Sequence, residues 1–267
     1  MITFPHAKIN LGLRILGRRP DGYHNIQTLM YPIPLCDLLE VIPSEQGMRF
    51  DFGSWCESPE ENLVVKAYRK VEEARHISLP PVEIILRKKI PTGAGLGGGS
   101  SDATSMIRLI DELFSLHLTK AEQHAIATSL GADCPFFLTH EPQIAEGIGE
   151  QLSPFPLSLE GKHLTLLHSA IHVSTKEAYQ GVVPTTEGMD IREALSLPLE
   201  QWREVLYNQF EPNIFRLYPE LARGKELLYN VGATYASMSG SGSTLFAISH
   251  TPISVEGWSG TVQTYQL

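Results

Sequence analysis

Apolar residues alternate with polar ones, or run together, over several short segments in the first third of the chain. The segments span residues 7–16, 28–33, 38–42 and 82–90. Runs of this length and period predict β-strands. Turn-forming stretches separate them, and the clearest is residues 18–22, which contains Pro-Asp-Gly. The first third is therefore predicted to be mostly β.

Helical spacing of apolar residues begins after this region. It predicts helices over residues 61–75, 101–114, 199–209 and 218–229, and one that begins at the capping residue Thr119, with Glu122 three positions later, and runs to Leu130. Strands are predicted again at 164–167 and 244–248. Residues 150–161 contain two prolines and two serines, which predicts a linker between two parts of the chain. The predicted fold class is α+β.

Composition and charge narrow the class of protein. A chain of 267 residues that is 42% hydrophobic can bury a large core, as one domain or two lobes. The net charge of −9 argues against a nucleic-acid-binding surface, because such surfaces neutralise many phosphates with Lys and Arg. Cys36, Cys56 and Cys134 form no CxxC pair, so a reducing cytoplasm is expected. No segment approaches the ~20 apolar residues of a membrane helix, and we expect the mature chain to start at Met1.

A glycine-rich segment, residues 91–102, joins a predicted strand to a predicted helix. Its sequence PTGAGLGGGSSD has five glycines within seven residues. Successive backbone N–H groups in such a loop, together with the positive end of the following helix, bind oxyanions without a basic side chain. We therefore predict a phosphate-binding loop. The alternative is a flexible glycine linker.

The type of nucleotide is a separate question. Residues 93–98 match the G-x-G-x-x-G pattern of dinucleotide-binding Rossmann folds, so an NAD-binding protein is one hypothesis. Several strands precede this one, however, and the following carboxylates lie in or after a helix. No Lys follows the glycines as a P-loop requires. A second glycine motif, residues 239–244 with the sequence SGSGST, is either part of the same site or a tight turn.

Three separated motifs resemble those of the GHMP kinases, a family of small-molecule kinases. They are residues 7–11 (AKINL), residues 91–101 and residues 239–243. The resemblance implies a two-lobe α+β fold, with a mixed β/α ATP-binding lobe at residues 1–154, an α/β lobe at residues 155–267 and the active site in the cleft between them.

Two further segments narrow this resemblance to one branch of the family. Residues 17–24 (GRRPDGYH) and 131–137 (GADCPFF) are similar to kinases that phosphorylate the C2 hydroxyl of 4-diphosphocytidyl-2-C-methyl-D-erythritol with ATP. That reaction belongs to the methylerythritol phosphate route to isoprenoids. Mg²⁺ is expected with the ATP, although no residue identifies itself as its ligand. A different GHMP kinase and a noncatalytic nucleotide-binding module stay open as alternatives, and the oligomeric state is not predicted.

The resemblance implies roles for the residues that would act on the acceptor hydroxyl. Asp133 would be the general base, Lys8 would orient the hydroxyl and offset charge on the phosphoryl group, and Asn10 would hold the acceptor. Lys8 and Asn10 occupy alternate positions of a strand and therefore share one face, which suits a polar pocket. Without the resemblance, Asp133 is typical of a turn and Lys8 of an edge-strand charge.

The resemblance also implies a cytidine subsite. Tyr23 would stack on the cytosine and His24 would hydrogen-bond to its edge. Tyr179 corresponds to a second aromatic residue of this sandwich, and its alternative interpretation is a half-buried core tyrosine.

The remaining implied residues bind ATP. The loop supplies Pro91, Gly93, Gly95, Leu96, Gly97, Gly98, Gly99, Ser100 and Ser101. Asn62 and Lys88 would lie near the adenine, but an Asn at a helix start is usually a cap and a Lys near a strand end is usually a solvated charge. One departure from the family pattern is His6, which stands where the family commonly has proline.

Overall fold

The chain is described here by a computed structural model covering residues 1–53 and 58–267, so Cys56 lies outside the described residues. The strands are β1 (Ile2–Thr3), β2 (His6–Arg18), β3 (His24–Cys36), β4 (Leu38–Pro43), β5 (Arg49–Asp51), β6 (Val82–Arg87), β7 (Gln143–Glu146), β8 (Gln151–Pro154), β9 (His163–His168), β10 (Tyr235–Met238), β11 (Leu245–Ser249) and β12 (Thr261–Gln266). The α-helices are α1 (Leu63–Arg75), α2 (Gly98–Leu113), α3 (Lys120–Leu130), α4 (Thr175–Gln180), α5 (Ile191–Leu195), α6 (Trp202–Val205), α7 (Glu211–Leu217) and α8 (Pro219–Asn230). Short 3₁₀-helices span Pro59–Glu61, Cys134–Leu138 and Leu199–Gln201.

The backbone divides into two compact units, each assembled from separate stretches of the chain. Unit 1 contains Met1–Ala7, Leu35–Thr92 and Gly97–His140. Unit 2 contains Lys8–Pro34, Gly93–Leu96 and Glu141–Leu267. The lobes expected at residues 1–154 and 155–267 are continuous segments and stay a prediction.

Unit 1 packs helices against one sheet. The sheet has the strand order β1-β4-β6-β5, in which β5 pairs with β6 in parallel and the other pairs are antiparallel. Residues from β4, β6, α1, α2 and α3 form one apolar cluster. Because β6 lies antiparallel to its neighbour β4, the strand before the glycine loop is not part of a parallel Rossmann sheet, and that alternative is wrong.

Unit 2 contains two sheets, with the strand orders β2-β3-β7-β8 and β10-β11-β9-β12. The second sheet is antiparallel throughout. Its apolar cluster joins residues of β2, β10 and β11 to α7 and α8. The mixture of sheets and helices in both units confirms the α+β class.

Helix starts follow the capping signals of the sequence. The Thr119 hydroxyl accepts a hydrogen bond from the Glu122 backbone N–H at 3.2 Å, and the Glu122 carboxylate accepts one from the Thr119 N–H at 2.8 Å. This capping box opens α3 at the predicted place. The helix predicted over 101–114 starts earlier, at Gly98, because Gly97 takes the N-cap position with φ +71°.

Three predicted boundaries were wrong because other contacts take up the backbone polar groups of these segments. The helix expected over 199–209 ends at Val205, since Tyr207 and Gln209 instead exchange backbone hydrogen bonds of 3.0 and 2.9 Å with Leu13 of β2. The linker expected at 150–161 contains the strand β8, which pairs with β7. The strand expected to reach Ile90 ends at Arg87, where the following N–H groups turn to a side chain.

Across residues 1–53 and 58–267, no helix is both long and apolar enough to cross a membrane.

Candidate active site

The Lys8 side chain lies almost fully buried on β2, where it meets the glycine loop. Its ammonium donates to Asn10 Oδ1 at 2.5 Å and to the Gly95 carbonyl at 3.1 Å. The Lys8 backbone N–H donates to the Leu96 carbonyl at 3.0 Å. Two of the separated sequence motifs therefore meet at this lysine, which is only 3% exposed.

Asn10 shares the face of β2 with Lys8, as the period of a strand predicts. Its amide Nδ2 donates to Thr28 Oγ1 at 3.1 Å, and the Thr28 hydroxyl donates to the Gly12 carbonyl at 2.5 Å. Both polar side chains are buried. Because a buried amide with satisfied partners has one preferred orientation, Oδ1 of Asn10 stays directed at Lys8.

The second glycine motif meets the first one at Ser239. The Ser239 hydroxyl donates to the Gly95 carbonyl at 2.8 Å and accepts the Asn10 backbone N–H at 3.3 Å. Thr244 N–H donates to the Ala94 carbonyl at 3.3 Å. The motif is thus more than a tight turn: it forms a buried polar cluster with Lys8, Asn10 and Gly95, called the Lys8 cluster below.

Close backbone packing explains why glycine is needed at two loop positions. Gly95 has φ +77°, and a Cβ there would overlap the Ser239 carbonyl oxygen. A Cβ on Gly98 would lie 2.8 Å from Ile90 Cγ2. A Cβ on Gly99, in contrast, meets only Leu63 at 3.5 Å, an ordinary contact. Protein packing therefore fixes part of the loop, and Gly93 and Gly99 are exposed on it.

The other loop residues open α2 or lie before it. Pro91 is half-buried, Leu96 is buried, and Ser100 and Ser101 occupy the first turn of the helix, with Ser101 N–H donating to the Gly97 carbonyl at 2.9 Å. The first N–H groups of a 16-residue helix lack partners within it. This helix start provides the oxyanion-binding geometry predicted from the sequence.

Asp133 occupies the N-cap position of the 3₁₀-helix that follows α3, in unit 1. Cys134 N–H donates to the Gly131 carbonyl at 3.1 Å, and Thr104 Oγ1 donates to the Cys134 carbonyl at 2.8 Å. Phe136 is fully buried. The segment is therefore anchored on both sides of a half-exposed carboxylate.

Burial and aromatic contacts also anchor this segment at His6. The His6 ring lies 5.3 Å from the Phe137 ring and 4.8 Å from the His140 ring, between centroids. His6 Nδ1 lies 2.9 Å from the Ala7 carbonyl, which a protonated Nδ1 satisfies. Burial lowers the pKa of His6 below its ordinary value. His6, which stands where the family commonly has proline, therefore packs a neutral ring on the segment that carries Asp133.

Lys88 is not a solvated charge; its ammonium lies between the carboxylates of Asp37 and Asp102. It contacts Asp37 Oδ2 and lies 2.6 Å from Asp102 Oδ2. Asp37 Oδ1 also accepts the backbone N–H groups of Lys89 and Ile90, at 2.5 and 2.8 Å. This group, called the Lys88 cluster below, joins the end of β6 to Asp102 of α2, the helix that follows the glycine loop.

Asp102 is the unusual member of the Lys88 cluster. Burial raises the pKa of its carboxyl to about 7, with Lys88 acting in the opposite direction and Asp37 adding to the rise. Its Oδ1 is buried and has no hydrogen-bond partner in the described part of the chain. One lysine thus pairs with two carboxylates, and Asp102 holds a proton more readily than an ordinary aspartate does.

Asn62 acts as a helix cap. Its Oδ1 accepts the Val64 backbone N–H at 3.0 Å at the start of α1. The alternative interpretation of Asn62 from the sequence is therefore confirmed, and this capping geometry by itself does not point to a nucleotide.

The aromatic residues predicted for the cytidine line one cavity of about 800 Å³ in unit 2. His24 and Tyr179 stack with ring centroids 4.7 Å apart and planes 17° from parallel, and Phe210 packs edge-on against Tyr179 at 4.8 Å. Tyr23 is 61% exposed beside them. The wall is completed by Arg18, Gly22, Ile148, Thr175, Lys176, Gln180, Val182 and Pro184.

A tight turn presents Tyr23 to this cavity. Tyr23 N–H donates to Asp21 Oδ1 at 3.1 Å, and the Arg19 N–H donates to the Tyr23 carbonyl at 2.7 Å. The Tyr23 N–H lowers the pKa of Asp21, which also pairs with Arg19. Burial lowers the pKa of His24, with a smaller contribution from Arg18, so its ring is neutral at pH 7 and offers both a donor and an acceptor.

Sequence reasoning missed the carboxylates around Lys88 and the basic residues of the cavity. Asp102 lies directly after the glycine motif. The signal for it in the sequence was a charged residue at a predicted helix start, close to the strand end that carries Lys88. Arg18 and Lys176 flank the motif residues, and their charge near two aromatic residues was a signal for an anionic ligand.

No group of three or more His, Cys, Asp or Glu residues that could hold a metal ion occurs in the described ranges. Mg²⁺ usually keeps several waters and takes one or two carboxylates together with substrate phosphates.

Residues 62–141 match the family described as GHMP kinases N terminal domain, and residues 191–256 match GHMP kinases C terminal. The chain is 46% identical, over 253 residues, to 4-diphosphocytidyl-2-C-methyl-D-erythritol kinase of Bacteroides thetaiotaomicron, covering 93% of this chain and 92% of the relative. It is 47% identical to the kinase of the same name from Cytophaga hutchinsonii, with 94% and 93% covered.

Solved structures of kinases also align with this chain. A crystal structure of 4-(cytidine 5'-diphospho)-2C-methyl-D-erythritol kinase aligns with a TM-score of 0.80 and 32% identity, over 99% of this chain and 98% of that one. A mevalonate kinase aligns with a TM-score of 0.65 at 12% identity, over 93% and 91% of the two chains, which shows a shared fold.

Proposed function

The chain belongs to the GHMP kinases and, among them, to the 4-diphosphocytidyl-2-C-methyl-D-erythritol kinases, and from this membership we propose how its own residues carry out the reaction. The protein is a kinase that uses ATP to phosphorylate 4-diphosphocytidyl-2-C-methyl-D-erythritol in the methylerythritol phosphate pathway. The acceptor is the C2 hydroxyl, and the products are the 2-phosphate and ADP.

The observation that carries the residue assignment is the Lys8 cluster. Lys8, Asn10, Gly95 and Ser239 come from three motifs far apart in the sequence, yet their polar groups lie within hydrogen-bond distance in a buried site. A buried ammonium beside a phosphate-binding loop is suited to stabilise negative charge on a transferring phosphoryl group.

The chemistry requires a base. A tertiary alcohol is a weak nucleophile until its proton is removed as the new P–O bond forms. Asp133 receives the proton from the C2 hydroxyl, Lys8 orients that oxygen and offsets the charge on the γ-phosphoryl group, and Asn10 holds the acceptor. The anchored 3₁₀-helix around Asp133 favours this role because a base must be held in position.

The cytidine end of the substrate binds in the aromatic cavity. Tyr23 and Tyr179 supply stacking surfaces, and neutral His24 supplies a donor and an acceptor for the edge of cytosine. The face of Tyr179 that meets His24 is covered. A base that stacks on that face must displace the His24 ring.

ATP binds with its phosphates along residues 91–101, at the start of α2. Mg²⁺ enters as the ATP complex and supplies charge neutralisation for the phosphates, and we name no protein ligand for it. Asn62 and Lys88 would lie near the adenine, where Asn62 also caps α1 and Lys88 also pairs with Asp37 and Asp102. The proposal includes two lobes, at residues 1–154 and 155–267, and a cytoplasmic location.

An acceptor panel tests the substrate. Purified protein with ATP and Mg²⁺ is given 4-diphosphocytidyl-2-C-methyl-D-erythritol, mevalonate, homoserine or galactose, and acceptor-dependent ADP release is measured. Turnover with the cytidylyl compound alone is expected. Turnover with another alcohol and not with this one would contradict the acceptor, and ATP binding without turnover on any of the four would contradict the enzymatic role.

A further inference from the structure

Two side chains near the start of α7 bind both backbone polar groups of Met238, the residue before the second glycine motif. Asn208 Nδ2 donates to the carbonyls of Met238 and Gly240, each at 2.8 Å. Glu211 Oε1 accepts the Met238 N–H at 2.8 Å and the Ser237 hydroxyl at 2.9 Å. Asn208 and Glu211 therefore hold the backbone at the end of β10, and they are called the clamp below.

The clamp is buried and its polar groups are satisfied. Asn208 is 1% exposed and Glu211 is 6% exposed. The other Glu211 oxygen, Oε2, pairs with the Lys225 ammonium at 2.6 Å, and Asn208 Oδ1 accepts the Phe210 N–H at 2.9 Å. Apolar residues of similar volume often stabilise a core as well as a buried ion pair does, so a fully connected polar group favours a role in fixing geometry.

The geometry that the clamp fixes is that of Ser239. This residue follows Met238 directly, and its hydroxyl donates to the Gly95 carbonyl at 2.8 Å while accepting the Asn10 N–H at 3.3 Å. The same Gly95 carbonyl accepts the Lys8 ammonium at 3.1 Å. One carbonyl oxygen is therefore shared by Ser239 and Lys8, and a shift of the serine is passed to the lysine.

There is little room for such a shift. A Cβ on Gly240 would lie 3.2 Å from Asn10 Oδ1 and 3.3 Å from the Gly95 carbonyl oxygen. Backbone segments that pack this closely transmit small displacements instead of absorbing them. Hydrogen bonds also weaken steeply when their distance and angle leave the normal range.

We propose that Asn208 and Glu211 are positioning residues for phosphoryl transfer, which hold Met238–Gly240 so that Ser239 fixes the Gly95 carbonyl and, through it, the Lys8 ammonium. Neither residue touches the reacting atoms. The inference rests on the proposed function, in which Lys8 offsets charge on the transferred group.

The test compares Asn208→Ala, which removes a contact to β10, with a control variant that removes a similar contact to the same strand. The Tyr229 hydroxyl binds both backbone groups of Ala236, two residues before Met238, with distances of 3.1 Å. Tyr229→Phe thus removes an equivalent clamp that does not lead to Ser239. We expect Asn208→Ala to lower kcat about 10- to 100-fold with KM for the cytidylyl substrate changed less than about threefold, while Tyr229→Phe changes kcat less than about twofold.

A double variant distinguishes positioning from general weakening. If Asn208 acts through Ser239, kcat of Asn208→Ala/Ser239→Ala equals that of Ser239→Ala within about twofold. Multiplied kcat effects, or an equal loss of kcat in Tyr229→Phe, would overturn the proposal. Should Asn208→Ala not fold, Glu211→Gln takes its place, with an expected kcat loss of at least about threefold and the same coupling to Ser239→Ala.

Amide hydrogen exchange provides a readout that needs no substrate. Gly242 N–H donates to the Ser239 carbonyl at 3.0 Å, and Thr244 N–H donates to the Ala94 carbonyl at 3.3 Å. Both amides should exchange at least about tenfold faster in Asn208→Ala and at the wild-type rate in Tyr229→Phe. Unchanged exchange contradicts the clamp, whereas a wild-type enzyme inactive on the cytidylyl substrate contradicts only the proposed function.

Discussion

Lys8 is buried and Lys88 is partly buried, with 12% of its side chain exposed, and both lie next to the same glycine loop in different surroundings. The Lys88 ammonium lies between two carboxylates, and it joins the end of β6 to α2. The Lys8 ammonium donates to two neutral oxygens, the amide of Asn10 and the carbonyl of Gly95. We infer that the first cluster stabilises the loop and the second acts on the phosphoryl group.

Low exposure and proximity to a motif do not by themselves define a catalytic lysine. Ion pairing to carboxylates makes the removal of Lys88 costly for folding, since two buried acids would lose their counter-charge. The hydrogen bonds that Lys8 donates to Asn10 and Gly95 instead hold its ammonium at the glycine loop. We therefore expect the same substitution to lower mainly the free energy of unfolding at Lys88 and mainly kcat at Lys8.

The largest expected effect is on stability. Lys88→Met should lower the free energy of unfolding by about 3–5 kcal/mol, because it leaves Asp37 and Asp102 buried without their partner. Urea unfolding of wild type and Lys88→Met measures this difference in free energy. The matched control is Lys70→Met on α1, whose ion pair with Glu73 has side chains 40% and 68% exposed and should contribute less than about 1 kcal/mol. Equal losses in the two variants would contradict the structural role of Lys88.

The pH dependence of the unfolding free energy is a second test of the Lys88 cluster. Because burial raises the pKa of Asp102 from its ordinary 3.8 to about 7, the folded chain binds a proton that the unfolded chain has lost between about pH 4 and 7. Unfolding free energy should therefore fall as pH rises through that window, by at most about 4 kcal/mol.

Asp102→Asn removes this titrating group while keeping the shape of the side chain. The difference in unfolding free energy between wild type and Asp102→Asn should favour wild type most at about pH 4 and shrink towards pH 8. A difference that stays constant from pH 4 to 8 would show that Asp102 does not titrate in this range.

Lys8→Met should affect catalysis more than folding. Removal of a donor to the developing charge typically lowers kcat about 100- to 1,000-fold, while the lost hydrogen bonds to Asn10 and Gly95 should lower unfolding free energy by no more than about 3 kcal/mol. Steady-state kinetics and urea unfolding on the same preparation measure both. A kcat within tenfold of wild type would place Lys8 with Lys88 as a structural residue.

The smallest expected effect lies at the cavity and appears in KM. Tyr179→Leu should raise KM for the cytidylyl substrate about 10- to 100-fold, because stacking on a base contributes about 1–3 kcal/mol, and it should leave kcat within about threefold. Tyr207→Leu is the control, since Tyr207 is exposed and does not line the cavity. A drop in kcat without a change in KM would contradict the subsite.

The Lys8 cluster was partly predictable from sequence and the Lys88 cluster was not. The period of a strand is enough to place Lys8 and Asn10 on one face. The partner of Lys88 depends on strand register instead: Leu38 of β4 pairs with Arg87 of β6, which brings Asp37 beside Lys88. Register is set by long-range pairing, so local patterns do not reveal it.

Long-range contacts also explain the wrong boundaries. Helical spacing over 199–209 was correct up to Val205, where hydrogen bonds with Leu13 replace the helix. The same region then provides Asn208, whose contacts lie 30 residues away in sequence. The aromatic residues of the cavity were identified through family resemblance, because Tyr23 and Tyr179 are too far apart for a local pattern.

The most direct test of the account is single-turnover transfer of the γ-phosphoryl group from ATP to 4-diphosphocytidyl-2-C-methyl-D-erythritol, with the product identified by ³¹P NMR, in wild type and Asp133→Asn. The account predicts the 2-phosphate as product and a transfer rate reduced about 100- to 10,000-fold in the variant, with ATP binding unchanged. A phosphate at another position, or a variant as fast as wild type, would contradict it.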